Sequence, residues 1–118
     1  MPKKILILED DEATAELMKF YMQEEGYQVA VASRGANFLV MAAEYQPDLI
    51  TLDVLLPDAD GFSIFNTLQR DERTKNIPII FVTVKEEKEE GIRMGARGYI
   101  VKPFHEGELK HTIKSIVG

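Results

Sequence analysis

The sequence predicts a doubly wound α/β fold, a five-stranded parallel sheet with helices on both faces. Three observations carry this expectation. Short apolar runs without polar alternation recur along the chain, as strands covered on both faces require. Segments with helical spacing of apolar residues separate them, giving five βα units in a row. The junctions hold Gly, Pro and Asp, which stop one element before the next begins.

Lys4 to Glu9 reads as the first strand, because Ile5 to Leu8 is wholly apolar. Glu12 to Glu25 has helical spacing, with Leu17, Met18 and Tyr21 expected on the inner side and Gly26 at the left-handed cap position. Gln28 to Ala32 is a second short strand, and Ala36 to Tyr45 a second helix behind Ser33-Arg34-Gly35. Pro47 and Asp48 break the chain before the strand Leu49 to Asp53, and Leu56 to Gly61 has the composition of a loop. Phe62 to Arg70 is the third helix, with Phe65 and Leu68 inward. Pro78 opens the strand Ile79 to Thr83. A short, charged helix from Glu86 to Met94 stops at Gly95, and Tyr99 to Val101 is the fifth strand. Glu106 to Val117 is the last helix, with Leu109, Ile113 and Ile116 at core spacing.

The 118 residues suit one domain, 1–118, with one core, and 45% hydrophobic residues suffice to bury it. There is no cysteine, which excludes disulfides, zinc-thiolate sites and thiol nucleophiles and agrees with a reducing compartment. The N-terminal apolar run is too short for a signal peptide, and no apolar stretch nears the about 20 residues of a membrane span, so a soluble, cytoplasmic protein without membrane contact is expected. The net charge is −6, and the basic residues are interspersed with acids rather than clustered. Direct nucleic-acid binding is therefore not expected, since a duplex-binding surface needs concentrated Lys and Arg.

In open parallel sheets, ligands bind beyond the carboxyl ends of the strands. Those ends hold Glu9-Asp10-Asp11, Asp53, Thr83 and, after the fifth strand, Lys102-Pro103. Clustered carboxylates repel one another and attract a cation. Oxygen-only donors select a hard ion, Mg²⁺ or else Mn²⁺ or Ca²⁺. A Thr hydroxyl and a Lys ammonium add what is needed to neutralise the oxygens of a transferring phosphoryl group. No Ser/His/Asp arrangement is evident, since His105 and His111 lie near or in the last helix, so the nucleophile expected is a carboxylate. Asp53 stands alone at its strand end while the other acids cluster. Each residue has a plain structural role as well: Asp11 is a natural N-cap, a strand-end Thr is a common polar terminus, and Lys-Pro is a common turn.

Together these residues closely resemble the receiver domain of bacterial response regulators, the CheY-like fold. The resemblance spans the chain and rests on Ile5-Leu-Ile-Leu-Glu-Asp-Asp11, Asp48 to Asp53, Leu56-Pro57 with Asp60-Gly61, Pro78 to Thr83, and Gly95-Ala96 with Tyr99 to Phe104. It implies a flavodoxin-like (βα)5 sheet in strand order 2-1-3-4-5. It implies that Asp53 is the phosphoacceptor and that Asp10 and Asp53 bind Mg²⁺, with help from Glu9 and the backbone carbonyl of Leu55. It assigns the phosphoryl oxygens to Thr83 and Lys102 and makes the Lys102–Pro103 peptide cis. Thr83 and Tyr99 are implied as switch residues, Tyr99 swinging from outside to inside as the face of helix four, strand five and helix five changes for a partner. The partners implied are a sensor histidine kinase or histidine phosphotransfer protein, and downstream an effector or a separate output domain, with phosphorylation-dependent dimerisation as a further option. Such a domain catalyses only its own phosphorylation and hydrolysis and is not a conventional enzyme.

Two positions depart from the family pattern. Val84 stands where a small residue is usual and is expected to narrow access to the phosphoryl site. The stretch from Thr83 to Gly95 is roughly one helical turn short, so helix four is expected to be short, displaced or mobile. Three other functions meet obstacles in the same residues. A haloacid dehalogenase-type phosphatase needs a second Asp where this chain has Leu55. A flavin-binding module needs a Ser/Thr/Gly-rich loop where this chain has acids. A phosphorylation-independent pseudo-receiver, an interaction module, is the alternative that Val84 and the short helix four leave open, against the intact Glu9, Asp10, Asp53, Thr83 and Lys102 set.

Overall fold

The computed structural model describes all residues, 1–118. Its elements alternate without exception: β1 (Lys4–Leu8), α1 (Glu12–Glu24), β2 (Gln28–Ala32), α2 (Phe38–Tyr45), β3 (Leu49–Leu52), α3 (Gly61–Arg70), β4 (Ile79–Thr83), α4 (Lys88–Met94), β5 (Gly98–Val101) and α5 (Glu106–Val117). The five strands are parallel, in the order β2-β1-β3-β4-β5. This is the flavodoxin-like fold that the sequence implies. No helix is long and apolar enough to cross a membrane.

Two cores follow from the two-residue side-chain period of a strand. Ile5, Ile7, Leu49, Ile80, Val82 and Ile100 face α1 and α5, where Met18, Met22, Leu109 and Ile113 cover them. Leu6, Leu8, Ile50, Leu52, Phe81 and Tyr99 face the opposite side, against Phe38 of α2 and Phe65 and Leu68 of α3. Burial on both faces explains why the strands read as unbroken apolar runs.

The register decides what meets at the carboxyl edge. Leu8 pairs with Leu52, so Glu9 and Asp53, one residue later on each strand, emerge side by side. Thr83 pairs with Val101, so Lys102 follows directly beside β4. Alternation then sorts the polar groups. Glu9 and Asp53 continue the rows that face α1 and α5, whereas Thr83 and Tyr99 continue the rows that face α3 and α4.

Several local expectations are corrected. Leu17 is 44% exposed, because Ala15, Met18 and Met22 form the buried stripe of α1 and Leu17 lies to one side of it. α2 begins at Phe38, two residues later than expected, after Asn37 adopts a left-handed conformation with φ 63°. β3 ends at Leu52, leaving Asp53 just beyond the ladder. α4 begins at Lys88 rather than Glu86 and has 7 residues, shorter even than the sequence suggests.

Candidate functional site

Glu9, Asp10 and Asp53 each offer a carboxylate oxygen, and these oxygens lie within 4.8 Å of one another. Asp11 is not part of the group. It caps α1, accepting from the backbone N–H and the hydroxyl of Thr14, and so fulfils its structural role. Glu9 and Asp53 are buried, while Asp10 faces solvent. The Asp11 N–H donates to Glu9 Oε2 and the Leu55 N–H donates to Asp53 Oδ1, each at 3.1 Å, so both buried carboxylates have a fixed orientation.

Lys102 completes the pocket. Its Nζ donates to Glu9 Oε1 at 2.5 Å and to Asp53 Oδ2 at 3.0 Å. The Lys102–Pro103 peptide is cis. Burial pushes the Glu9 carboxyl above its ordinary value, an effect that the Lys102 contact only partly offsets and that the Asp53 charge reinforces. Burial alone would lower the Lys102 ammonium, but its contacts with Glu9 and Asp53 outweigh this and raise it. The four side chains have a formal charge of −2, with Glu9, Asp53 and Lys102 largely shielded from solvent and Asp10 exposed.

Gly61 brings the loop after β3 tightly against this pocket. A Cβ there would lie 2.2 Å from the carbonyl oxygen of Asp53 and 2.6 Å from Cα of Val54, so only glycine fits. The Asp60 carboxylate caps α3 at Phe62 N–H, and the Gly61 N–H closes on Val54 O. In the sequence the Asp60-Gly61 pair marks this segment as a loop, but nothing local signals its close approach to Asp53.

Thr83 and Tyr99 lie together on the other side of the sheet edge. The Lys85 N–H donates to Thr83 Oγ1 at 3.3 Å, and the Tyr99 hydroxyl donates to Lys85 O at 2.5 Å while accepting from the Glu87 N–H at 3.3 Å. Tyr99 is only 6% exposed and packs on Phe81, so its ring occupies the inner of the two positions expected for it. Its hydroxyl thereby ties Lys85 to Glu87, the N-cap residue of α4, which makes no side-chain cap of its own. Val84 is 58% exposed and, with Thr14, Leu17, Lys102, Pro103 and Phe104, lines a groove of about 370 Å³ beside the pocket.

The carboxylate set fits a hard divalent ion. It offers oxygen donors alone, too negative for the one ammonium to balance, and one of its acids is open to solvent.

Residues 5–114 match the family model of the response regulator receiver domain. The chain belongs to the response regulator receiver family. Among curated relatives of this receiver, the polar-differentiation response regulator DivK of Brucella anthropi is 36% identical over 121 residues, which cover 100% of this chain and 98% of DivK. The DNA-binding dual master transcriptional regulator RpaA of Synechocystis is 38% identical over 120 residues, covering 99% of this chain but 49% of RpaA. The receiver thus spans about half the length of several curated relatives that it matches. Among solved structures, the chemotaxis response regulator CheY4 of Vibrio cholerae superposes with a TM-score of 0.89 at 29% identity, covering 98% of this chain and 99% of that one. A receiver domain of the Pseudomonas aeruginosa sensor histidine kinase PA1611, solved with magnesium in its active-site cleft, gives a TM-score of 0.89 at 26% identity over 100% of this chain and 99% of its own. Receiver domains are regulatory phosphoacceptors of two-component systems that bind Mg²⁺ at an acidic site, and this chain carries such an acidic cluster.

Proposed function

We propose that Asp53 accepts a phosphoryl group from a phosphohistidine of a sensor kinase or histidine phosphotransfer protein, and that the resulting charge resets the face formed by α4, β5 and α5. The observation that carries this reading is the pocket itself: three carboxylate oxygens within 4.8 Å of one another, with the Lys102 ammonium on Asp53 Oδ2.

Asp53 Oδ1 is oriented by the Leu55 N–H, and its other oxygen rests on Lys102. A carboxylate oxygen of Asp53 attacks phosphorus as the P–N bond breaks, and the electron pair leaves with the imidazole nitrogen. Glu9, Asp10 and Asp53, with the Leu55 carbonyl, would hold Mg²⁺. When bound, that ion neutralises charge on the phosphoryl oxygens. Lys102 can swing from Asp53 to the arriving phosphoryl oxygens, and Thr83 offers them a hydroxyl. As Thr83 turns toward that group, its bond to the Lys85 N–H is given up and the segment pinned by Tyr99 is freed to rearrange. Val84, standing over the groove next to Lys102, slows the entry of small donors or the departure of phosphate.

Residues 1–118 act as one receiver in the cytoplasm. The output is an effector protein or a further domain, such as half-length coverage of relatives like RpaA suggests, and pairing through the α4-β5-α5 face is one form it can take. The test is intact mass after incubation with Mg²⁺ and a small phosphoryl donor, alongside Asp53→Asn. A gain of one phosphate, absent from the variant and from Mg²⁺-free samples, is expected. If phosphate is gained equally by Asp53→Asn, the assignment of Asp53 is wrong.

A further inference from the structure

The loop between β3 and α3 brings Leu55 and Gly61 against Asp53, and its far end is fastened to a different part of the molecule. Asp58 Oδ1 accepts from the Gly35 N–H and Asp58 Oδ2 from the Ala36 N–H, each at 2.9 Å. Both oxygens of one carboxylate are therefore spent on two successive N–H groups in the segment joining β2 to α2. These are charge-assisted bonds, stronger than neutral ones. They hold the Asp58 carboxyl below the usual carboxylate range, the Gly35 N–H contributing most. The contact is also steric. A Cβ on Gly35 would lie 2.8 Å from Ala59 Cβ and 2.8 Å from Ile64 Cδ1, so the two loops touch with no room for a side chain between them.

We propose that Asp58 is a positioning residue for the metal pocket, clamping the loop that presents Leu55 so that its N–H and its carbonyl stay aligned with Asp53. This inference rests on the reading of the pocket given above.

The loop is closed at its base by the Gly61 N–H on Val54 O at 2.8 Å and by the bridge between Leu55 and Asp60. Its base is thereby defined by its own hydrogen bonds, but these fix only the shape of the loop. What fixes its attitude toward the rest of the sheet edge is Gly61 and the Leu55 N–H against Asp53 at one end and Asp58 against Gly35 and Ala36 at the other. Without Asp58 the loop can pivot about Gly61. Leu55 lies between Asp53 and Asp58 along the chain and is bridged to Asp60, so a pivot moves its peptide groups relative to Asp53 while leaving Glu9, Asp10 and Lys102 in place. The consequence is a weaker cation site with every carboxylate still present. A partner that shapes a metal site without touching the metal typically contributes about 10–100-fold in affinity. The exposed position of Asp58 places the expected loss near the lower end, about tenfold.

Magnesium titrations followed by calorimetry and by backbone NMR test this on the wild type, Asp58→Ala, Asp58→Asn and Gly35→Ala. Asp58→Ala should bind Mg²⁺ about tenfold more weakly, with the metal-free shifts of Leu55 and Asp53 displaced and those of Glu9 and Asp10 retained. Asp58→Asn keeps one acceptor oxygen and should fall between. Gly35→Ala forces the loops apart with Asp58 intact and should weaken Mg²⁺ in the same direction. At saturating Mg²⁺ the phosphorylation of Asp58→Ala by a small donor should return to the wild-type extent, because only alignment for the cation has been lost. Variants that lower the metal-free thermal midpoint but bind Mg²⁺ as the wild type does would show a purely structural clamp and overturn the proposal. A wild type that binds no Mg²⁺ would instead overturn the reading of the pocket, and this inference with it.

Discussion

Replacing Lys102 by Met tests the electrostatic account of the pocket most directly. Lys102 is the one cation that contacts Glu9 and Asp53, and the three side chains are 14%, 2% and 6% exposed. Removing one member of a buried ion pair typically costs about 3–5 kcal/mol, because the remaining charge stays desolvated. The exposed part of Lys102 admits some screening, so about 2–3 kcal/mol is expected here. The loss depends on pH. Glu9 titrates above its ordinary value through burial, so its contribution to stability is greatest while it holds its proton and is lost as pH rises through its folded value. Without Lys102 that value rises further, and the variant should be least impaired in mild acid and most impaired in mild alkali. Mg²⁺ should reverse the effect. Glu9, Asp10, Asp53 and Lys102 sum to −2, and the variant pocket to −3, so the variant gains more from a divalent ion. Each tenfold excess of Mg²⁺ over its dissociation constant adds about 1.4 kcal/mol to folding stability. Urea unfolding in chelator and in rising Mg²⁺ reads both quantities. Equal metal-free stability in mild alkali, or equal stabilisation of both proteins by Mg²⁺, would refute the reasoning.

Three other perturbations probe separate contacts. Gly61→Ala puts a methyl group 2.2 Å from the Asp53 carbonyl oxygen, where backbone must yield; a loss of about 1–3 kcal/mol in thermal unfolding and weakened Mg²⁺ binding are expected, and unchanged Mg²⁺ affinity would contradict the role given to this close approach. Gly91→Ala puts a methyl group 2.5 Å from Cδ2 and 2.8 Å from Cε2 of Tyr99; the ring should leave its inner site, which the Tyr99 ring shifts and faster exchange of the Glu87 amide would report. Asp71 is held at about 2, chiefly by the Arg73 guanidinium, against an ordinary 3.8. A depressed folded value adds stability above the unfolded value that is lost as pH falls, so the advantage of wild type over Asp71→Asn should be complete above pH 3.8 and gone near 2.

How much of the molecule is legible in its sequence depends on which signals are local. Strands buried on both faces announce themselves as apolar runs, as Ile79 to Thr83 does, and a parallel sheet brings every strand end to one edge. That single rule is enough to bring Glu9, Asp10, Asp53, Thr83 and Lys102 to one sheet edge from the order of the residues alone, though not to tell which face of it each takes. Sequence and structure part where neighbours outside the local pattern decide. Leu17 fits an inner helical face by spacing alone, yet the groove beside Phe104 keeps it accessible. The start of α2 falls later than composition suggests because Asn37 takes up a left-handed conformation that composition does not announce. Asp58 has the look of an ordinary loop acid, since its partners at Gly35 and Ala36 lie more than twenty residues away in the chain.

On the function proposed above, one sheet edge would serve both chemistry and signalling by a route that its geometry lays out. Asp53 and Glu9 emerge from rows that face α1 and α5, so the charge is gathered on that side, beside the groove that Val84 lines. Thr83 is one strand over and faces the other way, toward Phe81 and Tyr99. On the proposed function, a phosphoryl group on Asp53 that recruits the Thr83 hydroxyl would therefore act across the sheet edge. The Lys85 peptide unit is the link: its N–H rests on Thr83 and its carbonyl on Tyr99, while Glu87, at the start of α4, rests on the same tyrosine hydroxyl. α4 has 7 residues and no side-chain cap of its own, and those hydrogen bonds fix the segment that leads into it. On the proposed function, a change at Thr83 would reach the start of α4 through these three contacts in series, while Gly91 and Met94 keep the helix packed on Tyr99, Phe81 and the core.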